Sequence, residues 1–339
     1  MRFIPDKVAQ GGSLIGNSYL ATFAACPRNW FNSYYRPYEG GRGLRSKFIS
    51  EHLIKGRVFH EGLAALYKSG CRSGEDTGEW DIKLAQDLMH LHHAQSIPEY
   101  TSEDKAEEEW IKLQAMLTAY HDEFSLRGHH PDYPTIRVLH DGAGEPLIER
   151  EFQVDLGYRD FVFTCRADLV ILHHGRPKVM EHKTSAPGMW AKKRLHSIHT
   201  DSQFTGECFV LASLFPDEPI DGVLCNVVVK GGRTDVALRE STRRCQADYE
   251  VFRLSALDIL QQIDHRTQGF ESDLTAGWPH EDALARWFPD HGTKTGQCQN
   301  YDGCQFQPLC LNKTRTDENL RSFRTRTSEE VRAAREKAK

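Results

Sequence analysis

Residues 164–185 read TCRADLVILHHGRPKVMEHKTS, and this stretch predicts a β-hairpin. Gly is the usual second residue of a two-residue hairpin turn, and His tolerates a positive φ better than most residues. We therefore place the turn at His174-Gly175. Antiparallel pairing about that turn sets Asp168 opposite Glu181, and Arg166 opposite Lys183.

This pairing brings two carboxylates together on one face of the hairpin. Strand side chains alternate, so Glu181 and Lys183 share a face while His182 points to the other. Opposed Cβ atoms lie about 4.5–5.5 Å apart, and carboxylates that close repel each other unless a proton or a cation lies between them. Oxygen ligands favour Mg²⁺ or Mn²⁺ over zinc. A neighbouring lysine can orient or deprotonate an attacking water.

The alternative is a surface hairpin whose charged residues form ordinary cross-strand ion pairs. Apolar residues of both strands, such as Val170 and Val179, argue for a largely buried ribbon in which charges need a reason. The spacing alone leaves both interpretations open.

Composition excludes several classes of protein. The chain has 339 residues, of which 39% are hydrophobic and 27% charged, enough to build a core and unlike a disordered chain. The apolar runs are too short to cross a bilayer, and the first residues lack the layout of a secretory signal. We therefore expect a cytoplasmic protein that does not contact membranes.

The periodicity of the chain predicts an α+β fold with one central sheet. Helical spacing covers 17–35, with a break at Pro27, then 50–68 with Ser50 as N-cap, 82–96, 104–125, 201–215 and much of the chain after 241. Extended patterns cover 148–156, 161–173, 178–184, 222–230 and 234–239, the last two around Gly231-Gly232, and 129–134 reads as a loop.

Asp168 followed by Glu181-His182-Lys183 resembles the D…(D/E)-x-K signature of the PD-(D/E)XK nucleases. The similarity extends to their RecB-like exonuclease branch, which includes CRISPR-associated exonucleases and AddB-type nuclease domains. Residues 56–60 match that branch's Gly-x-x-x-His helix. Gln203 matches its Gln-x-x-x-Tyr helix, in which Glu207 here takes the place of the tyrosine.

The resemblance implies a restriction-endonuclease-like core, with a central mixed sheet flanked by helices. This core would bind Mg²⁺ or Mn²⁺ through His60, Asp168 and Glu181. Lys183 would position or activate the attacking water, and Gln203 would hold the lysine, the water or the phosphate. From helical spacing alone, His60 would be a hydrogen-bonded histidine of the core and not a metal ligand. Glu151, on the preceding strand, is an outer-shell candidate or a solvated strand-end residue.

Three of the nine cysteines lie close together near the carboxyl end. Cys298, Cys304 and Cys310 are separated by five residues each, and Cys26 is the candidate for a fourth ligand. Four thiolates suit either zinc or an iron–sulfur cluster. The resemblance to iron–sulfur members of the RecB-like branch favours a 4Fe–4S cluster, with structural Zn²⁺ as the alternative.

Such a cluster would join the two ends of the chain. We expect an N-terminal helical region over 1–140, a nuclease core over 141–240, a C-terminal helical region over 241–315 and a charged tail over 316–339. The shared metal cluster would make them one interleaved domain overall.

The predicted function is a metal-dependent DNA exonuclease acting in recombination, repair, or phage- or CRISPR-related DNA processing. Its partners would be DNA with free or single-stranded ends and a recombination or helicase protein. The alternatives are a non-catalytic, metal-stapled DNA-binding protein and an endonuclease of the same fold. The net charge of −5 argues only weakly against a nucleic-acid partner. Trp30 and Trp190, near basic residues, are candidates for base stacking or for the core.

Overall fold

The computed structural model describes residues 16–38, 41–46, 51–72, 75–76, 79–100, 102–125, 136–159, 161–185, 189–217, 220–229, 237–290, 298, 304–311 and 316–325. Three predictions lie outside these residues: the N-cap at Ser50, the loop at 129–134 and the turn at Gly231-Gly232.

Most helices lie before the first or after the last strand of the central sheet in the sequence, and two lie between its strands. They are α1 (Asn17–Ala25), α2 (Pro27–Trp30) with a π-helical turn at Phe31–Tyr35, α3 (Glu51–Gly70), α4 (Ile82–Ser96), α5 (Glu103–Phe124), α6 (Met189–Ser197), α7 (Ser202–Leu214), α8 (Gln246–Thr275), α9 (His280–Trp287), and two short helices at Gln307–Leu311 and Thr316–Leu320. A 3-10 turn covers Ile97–Glu99.

Local capping chemistry explains several of these boundaries. The side chains of Asp81, Ser102 and Asp201 accept backbone N–H groups at the starts of α4, α5 and α7, as Asp and Ser do at N-caps. Cys26 is extended, and Pro27 opens α2, where its missing N–H costs nothing. The predicted break at Pro27 is confirmed.

The strands are β1 (Pro37–Tyr38), β2 (Gly41–Arg42), β3 (Leu44–Ser46), β4 (Cys71–Arg72), β5 (Glu75–Asp76), β6 (Ile136–Val138), β7 (Ile148–Asp155), β8 (Val162–His173), β9 (Arg176–Ser185), β10 (Val223–Val229), β11 (Ala237–Ser241) and β12 (Phe323–Thr325). Six of them form the central sheet, in the order β11-β10-β9-β8-β6, with β7 also paired to β8. Strand β10 runs parallel to β9 and antiparallel to β11. The predicted α+β class with a mixed sheet is confirmed.

The hairpin of β8 and β9 has the predicted register. Leu169 lies opposite Met180, and His173 lies opposite Arg176. His174 and Gly175 both have positive φ, 48° and 76°, as a two-residue type I′ turn requires. The turn sequence therefore fixes which residues of the two strands meet.

Backbone proximity groups the chain into two compact units. The sheet unit contains Ile49–Phe152 and Cys165–Tyr249, and the terminal unit contains Met1–Phe48, Gln153–Thr164 and Glu250–Lys339. The boundaries predicted at 140, 240 and 315 stay predictions. Among the helices that the structure describes, none has the length and apolar character needed to span a membrane.

Each unit has its own buried core. In the sheet unit, Phe59, Leu117 and Tyr120 of the helices pack with Ile171 and Met180 of the hairpin. The terminal unit has an aromatic cluster, in which Trp30 stacks on Phe288 at 5.8 Å. It also has a smaller core of Leu44, Phe306, Leu309 and Phe323. Trp30 is 2% exposed, so it is a core residue and not a base-stacking one.

Candidate active site

The site begins where the β8–β9 ladder ends, one residue beyond the Leu169–Met180 pair. There the Asp168 carboxylate replaces a backbone carbonyl, because the His182 N–H donates to Asp168 Oδ2 at 2.7 Å. The Asp168 N–H in turn donates to Glu181 Oε1 at 3.3 Å. The two predicted carboxylates are therefore both tied to the backbone of the hairpin.

Helix α3 adds a histidine to this pair of strands. His60 Nδ1 lies 3.2 Å from Asp168 Oδ1 and 3.7 Å from Glu149 Oε1. One potential ligand atom from each of these three residues lies within 4.8 Å of the other two, and the described part of the chain contains no other such group. One imidazole nitrogen and two carboxylate oxygens form a donor set suited to a divalent cation.

Glu149 reaches this position through an unusual backbone conformation. Its φ is +51°, which non-glycine residues rarely adopt and which is typically found at functional sites. Arg166 Nε holds its other carboxylate oxygen at 3.1 Å. The carboxylate of Glu149 is thereby aimed at His60 with one oxygen bound to an arginine.

A second group of charged side chains lies beside the first. Lys183 Nζ donates to Glu181 Oε2 at 2.9 Å, and Glu181 is 1% exposed. On α7, Gln203 Nε2 donates to Glu207 Oε1 at 2.8 Å. The other oxygen of Glu207 is buried and has no hydrogen-bond partner among the described residues.

Burial and mutual charge shift the pKa of each group. Burial alone would raise the pKa of Asp168, but the charge of His60 and hydrogen bonds from His182 and His60 hold it well below its usual range. Burial and the Asp168 charge raise the pKa of Glu181 to about 7. Burial opposes protonation of His60, yet Asp168 and Glu149 raise its pKa to about 10.

Burial and neighbouring charges also shift the pKa values of Lys183 and Glu207. Burial lowers the pKa of Lys183, but Glu181 and Asp168 more than offset it, so the pKa lies above its usual value. Burial and the Glu181 charge raise the pKa of Glu207 well above its usual value. Lys183 is therefore cationic at neutral pH, and the shift in Glu207 favours its uncharged form.

The sequence as a whole matches a known family. The profile of the PD-(D/E)XK nuclease superfamily matches residues 17–311. The chain belongs to this superfamily. Nucleases of this kind use divalent metals, and the family implies a DNA substrate. A search of curated proteins found no match to the chain.

For a PD-(D/E)XK nuclease, the placement of the predicted site residues is informative. His60, Asp168, Glu181 and Lys183 lie together in the sheet unit. Gln203 donates to Glu207, which is close enough to Glu181 and Lys183 for their charges to shift its pKa. The cation-ligand group, however, contains Glu149 where we expected Glu181. On that strand the sequence pointed to Glu151 alone, as an outer-shell candidate or a solvated residue, and Glu149 was missed. The positive φ of Glu149 is not encoded in the alternation of a strand.

A buried polar network supports the candidate site from the sheet face opposite Glu181. His182 points away from Glu181 as predicted, and its Nε2 lies 2.9 Å from Tyr120 Oη. Asn226 Nδ2 donates to Tyr120 Oη at 2.9 Å, and Arg239 Nε donates to Asn226 Oδ1 at 2.6 Å. This network fixes His182, whose backbone N–H in turn fixes Asp168.

The four predicted cluster cysteines all fall in the terminal unit. No three of their sulfur atoms lie within 4.8 Å of one another. The backbone N–H of Cys304 donates to the carbonyl of Cys298 at 2.9 Å. Burial raises the pKa of the Cys298, Cys304 and Cys310 thiols, and the nearby Cys26 contributes to each of these three shifts. The four thiols therefore share a neighbourhood without forming a compact ligand group.

Replacing Glu149 by glutamine should weaken Mg²⁺ binding by about 10–100-fold, because the ligand group loses one of its two carboxylates. Isothermal titration with MgCl₂ measures the change. The matched control is Glu151→Gln, two residues along the same strand, for which we expect a change of about twofold or less. Equal losses in the two variants would contradict the assignment of Glu149.

Binding of Mg²⁺ should release a proton, because His60 is protonated in the metal-free site and must lose that proton to act as a ligand. Between about pH 7.5 and 9, above the pKa of Glu181 and below that of His60, the apparent affinity should rise about tenfold per pH unit. Titrations in buffers with different ionisation enthalpies measure the released proton. The variant His60→Gln should bind Mg²⁺ more weakly and without this pH slope. A slope that persists in the variant would refute the role of His60.

Replacing Asn226 by alanine should lower the free energy of unfolding by about 2–3 kcal/mol, since it removes a fully buried amide that donates to Tyr120 Oη and accepts from Arg239 Nε. Urea denaturation measures this change. Gln86→Ala, which removes a part-buried hydrogen bond to Thr118, should cost about 1 kcal/mol or less. Similar costs for both variants would mean that the network does not stabilise the sheet unit.

Proposed function

We propose that this protein is a metal-dependent DNA exonuclease that hydrolyses phosphodiester bonds. The observation that carries the proposal is the meeting of His60, Glu149 and Asp168 in one ligand group beside the Glu181–Lys183 pair. Ion pairs that only stabilise a fold do not require a backbone in the left-handed region. Glu149 adopts that conformation and places its carboxylate 3.7 Å from His60.

The chemistry follows from what each group can do. A divalent ion held by His60, Glu149 and Asp168 would lower the pKa of the attacking water and polarise the phosphate. Lys183 keeps its positive charge and orients the water while it neutralises charge that develops on the phosphate oxygens. Glu181 holds the Lys183 ammonium at 2.9 Å and, with its pKa near 7, can accept a proton at neutral pH.

Gln203 and Glu207 form a second hydrogen-bonded pair, near Glu181 and Lys183. Gln203 is held at 2.8 Å by the Glu207 carboxyl, so its orientation depends on a residue that replaces the tyrosine of the RecB-like motif. Burial and the Glu181 charge raise the pKa of Glu207, which favours its uncharged form and so reduces the negative charge that it places near the phosphate path. Glu207 therefore does not by itself favour the non-catalytic alternative.

The preference for DNA ends rests on the resemblance to the RecB-like branch in residues 56–60 and at Gln203. Incubating end-labelled linear DNA and closed circular DNA with Mg²⁺ or Mn²⁺ tests it. Loss of the linear DNA alone supports an exonuclease. Nicked circles would instead favour the endonuclease, and intact DNA of both kinds would favour the DNA-binding protein.

We further propose that Cys26, Cys298, Cys304 and Cys310 bind a 4Fe–4S cluster. Zinc bonded to sulfur at about 2.3 Å draws all four ligands to within about 4 Å of each other, whereas no three of these four sulfur atoms lie within 4.8 Å of one another. Ligands on separate irons of a cluster stand further apart. The shared surroundings of the four thiols thus favour the cluster over structural Zn²⁺. We also propose a cytoplasmic location, where a reducing environment keeps thiols free or metal-bound. A recombination or helicase partner follows from the same resemblance.

A further inference from the structure

We propose that helix α6 binds an unpaired DNA strand next to the active site, with Trp190 stacking on a base and Lys192 and Lys193 contacting the backbone phosphates. This inference rests on the proposed nuclease function and names the form of DNA that enters the site.

The position of α6 is the first observation. Helix α6 begins four residues after the end of β9, the strand that carries Glu181 and Lys183, and it packs against β9, β10 and β11. Burial raises the pKa of Cys225 to about 12 while Lys183 and Arg194 oppose the rise, so Arg194 of α6 lies near Cys225. Cys225 is the β10 partner of Glu181, and paired residues share a sheet face. Helix α6 therefore covers the face that carries the catalytic pair.

The surface chemistry of α6 is the second observation. The helix reads MWAKKRLHS and contains no acidic residue. Ala191 is its buried anchor, whereas Met189 is 79% and Trp190 63% exposed. Within the part of the chain that the structure describes, the ammonium groups of Lys192 and Lys193 pair with no carboxylate. Lys193 Nζ instead lies 5.8 Å from the centre of the Trp190 ring.

An unpaired nucleic-acid strand is the occupant that fits this surface. Free lysines neutralise phosphates, and an exposed indole offers a stacking platform for a base. The bases of a duplex are already stacked on both faces, so an intact duplex gains nothing from Trp190. An acidic peptide would use the lysines and leave the indole in water. The combination of indole and lysines therefore points to single-stranded DNA.

Binding without cleavage tests this inference. The full chain is titrated in EDTA into fluorescently labelled oligothymidylate, and anisotropy gives Kd. Trp190→Ala should weaken binding about tenfold, because base–aromatic stacking contributes that much per base, while Trp190→Phe should lose about twofold. Affinity for a blunt duplex should not change in either variant. Joint replacement of Lys192 and Lys193 by glutamine should lower the slope of log Kd against log salt by about 1.4.

Trp278 provides the matched control. It is 46% exposed, and the Arg286 guanidinium lies 5.2 Å from its ring, but it belongs to the terminal unit. Trp278→Ala should bind oligothymidylate like the wild type. Equal losses in Trp190→Ala and Trp278→Ala, equal losses for duplex and single strand, or tighter binding to anionic phospholipid vesicles than to the oligonucleotide would overturn the inference.

The two proposals fail separately. If the wild type cleaves no DNA yet loses oligothymidylate binding in Trp190→Ala, the nuclease proposal fails and the strand-binding surface stands. If cleavage is normal but Trp190→Ala binds oligothymidylate as tightly as the wild type, the surface is wrong and the nuclease proposal stands.

Discussion

Replacing Lys183 by alanine is expected to slow Mg²⁺-dependent cleavage of DNA by about 10²–10³-fold, the loss typical when one preorganised electrostatic group is removed from a site. The ammonium is partly buried, held by Glu181 at 2.9 Å, and cationic at every physiological pH because its pKa lies above the usual value. No other described lysine or arginine forms a salt bridge with Glu181.

The same assay should give at least as large a loss for Asp168→Asn. An amide oxygen can still accept the His182 N–H, so the hairpin keeps its hydrogen bond while the ligand group loses a charge. The readout is the rate of release of nucleotides from end-labelled linear DNA, with circular dichroism as a check of folding. Lys112→Ala, which removes a half-exposed lysine of α5, should cleave at the wild-type rate. Retained activity in folded Lys183→Ala or Asp168→Asn protein would refute the hydrolase.

The second large effect concerns the cysteines of the terminal unit. Cys304→Ser should abolish the visible absorption of the purified protein and lower its Tm by many degrees, because metal binding in the folded state alone contributes directly to folding. The spectrum between about 300 and 500 nm, iron and sulfide analysis, and a thermal melt measure these changes. Cys245→Ser, which alters an exposed free cysteine, should change neither spectrum nor Tm. A colourless wild-type protein that contains zinc would show that the four thiols bind structural Zn²⁺ and not an iron–sulfur cluster.

Local sequence chemistry was sufficient to predict the hairpin and much of the secondary structure. The turn residues His174 and Gly175 fix the strand register, and side-chain alternation assigns Glu181 and His182 to opposite faces. The helix predicted over 82–96 has the bounds Ile82–Ser96, since its cap and its apolar period agree. These features depend on residues close in sequence.

The ligand group could be predicted only in part. Asp168 and His60 follow from short motifs, but the choice between Glu149 and Glu151 depends on a backbone angle. A φ of +51° at Glu149 interrupts the period of two on which strand predictions rely. Alternation places Glu149 and Glu151 on the same face of the strand, so it does not distinguish them. The outer-shell role of Glu151 stays a prediction.

The sequence by itself thus determined the sheet class, the register of the central hairpin and the meeting of two carboxylates with a lysine, because turn chemistry and alternation act within a few residues. Only the tertiary structure decided that Glu149 joins His60, that Tyr120 and Asn226 brace His182, and that α6 exposes Trp190. The first two features are contacts between residues separated by tens of positions, and the exposure of Trp190 depends on how α6 packs. No local period encodes them.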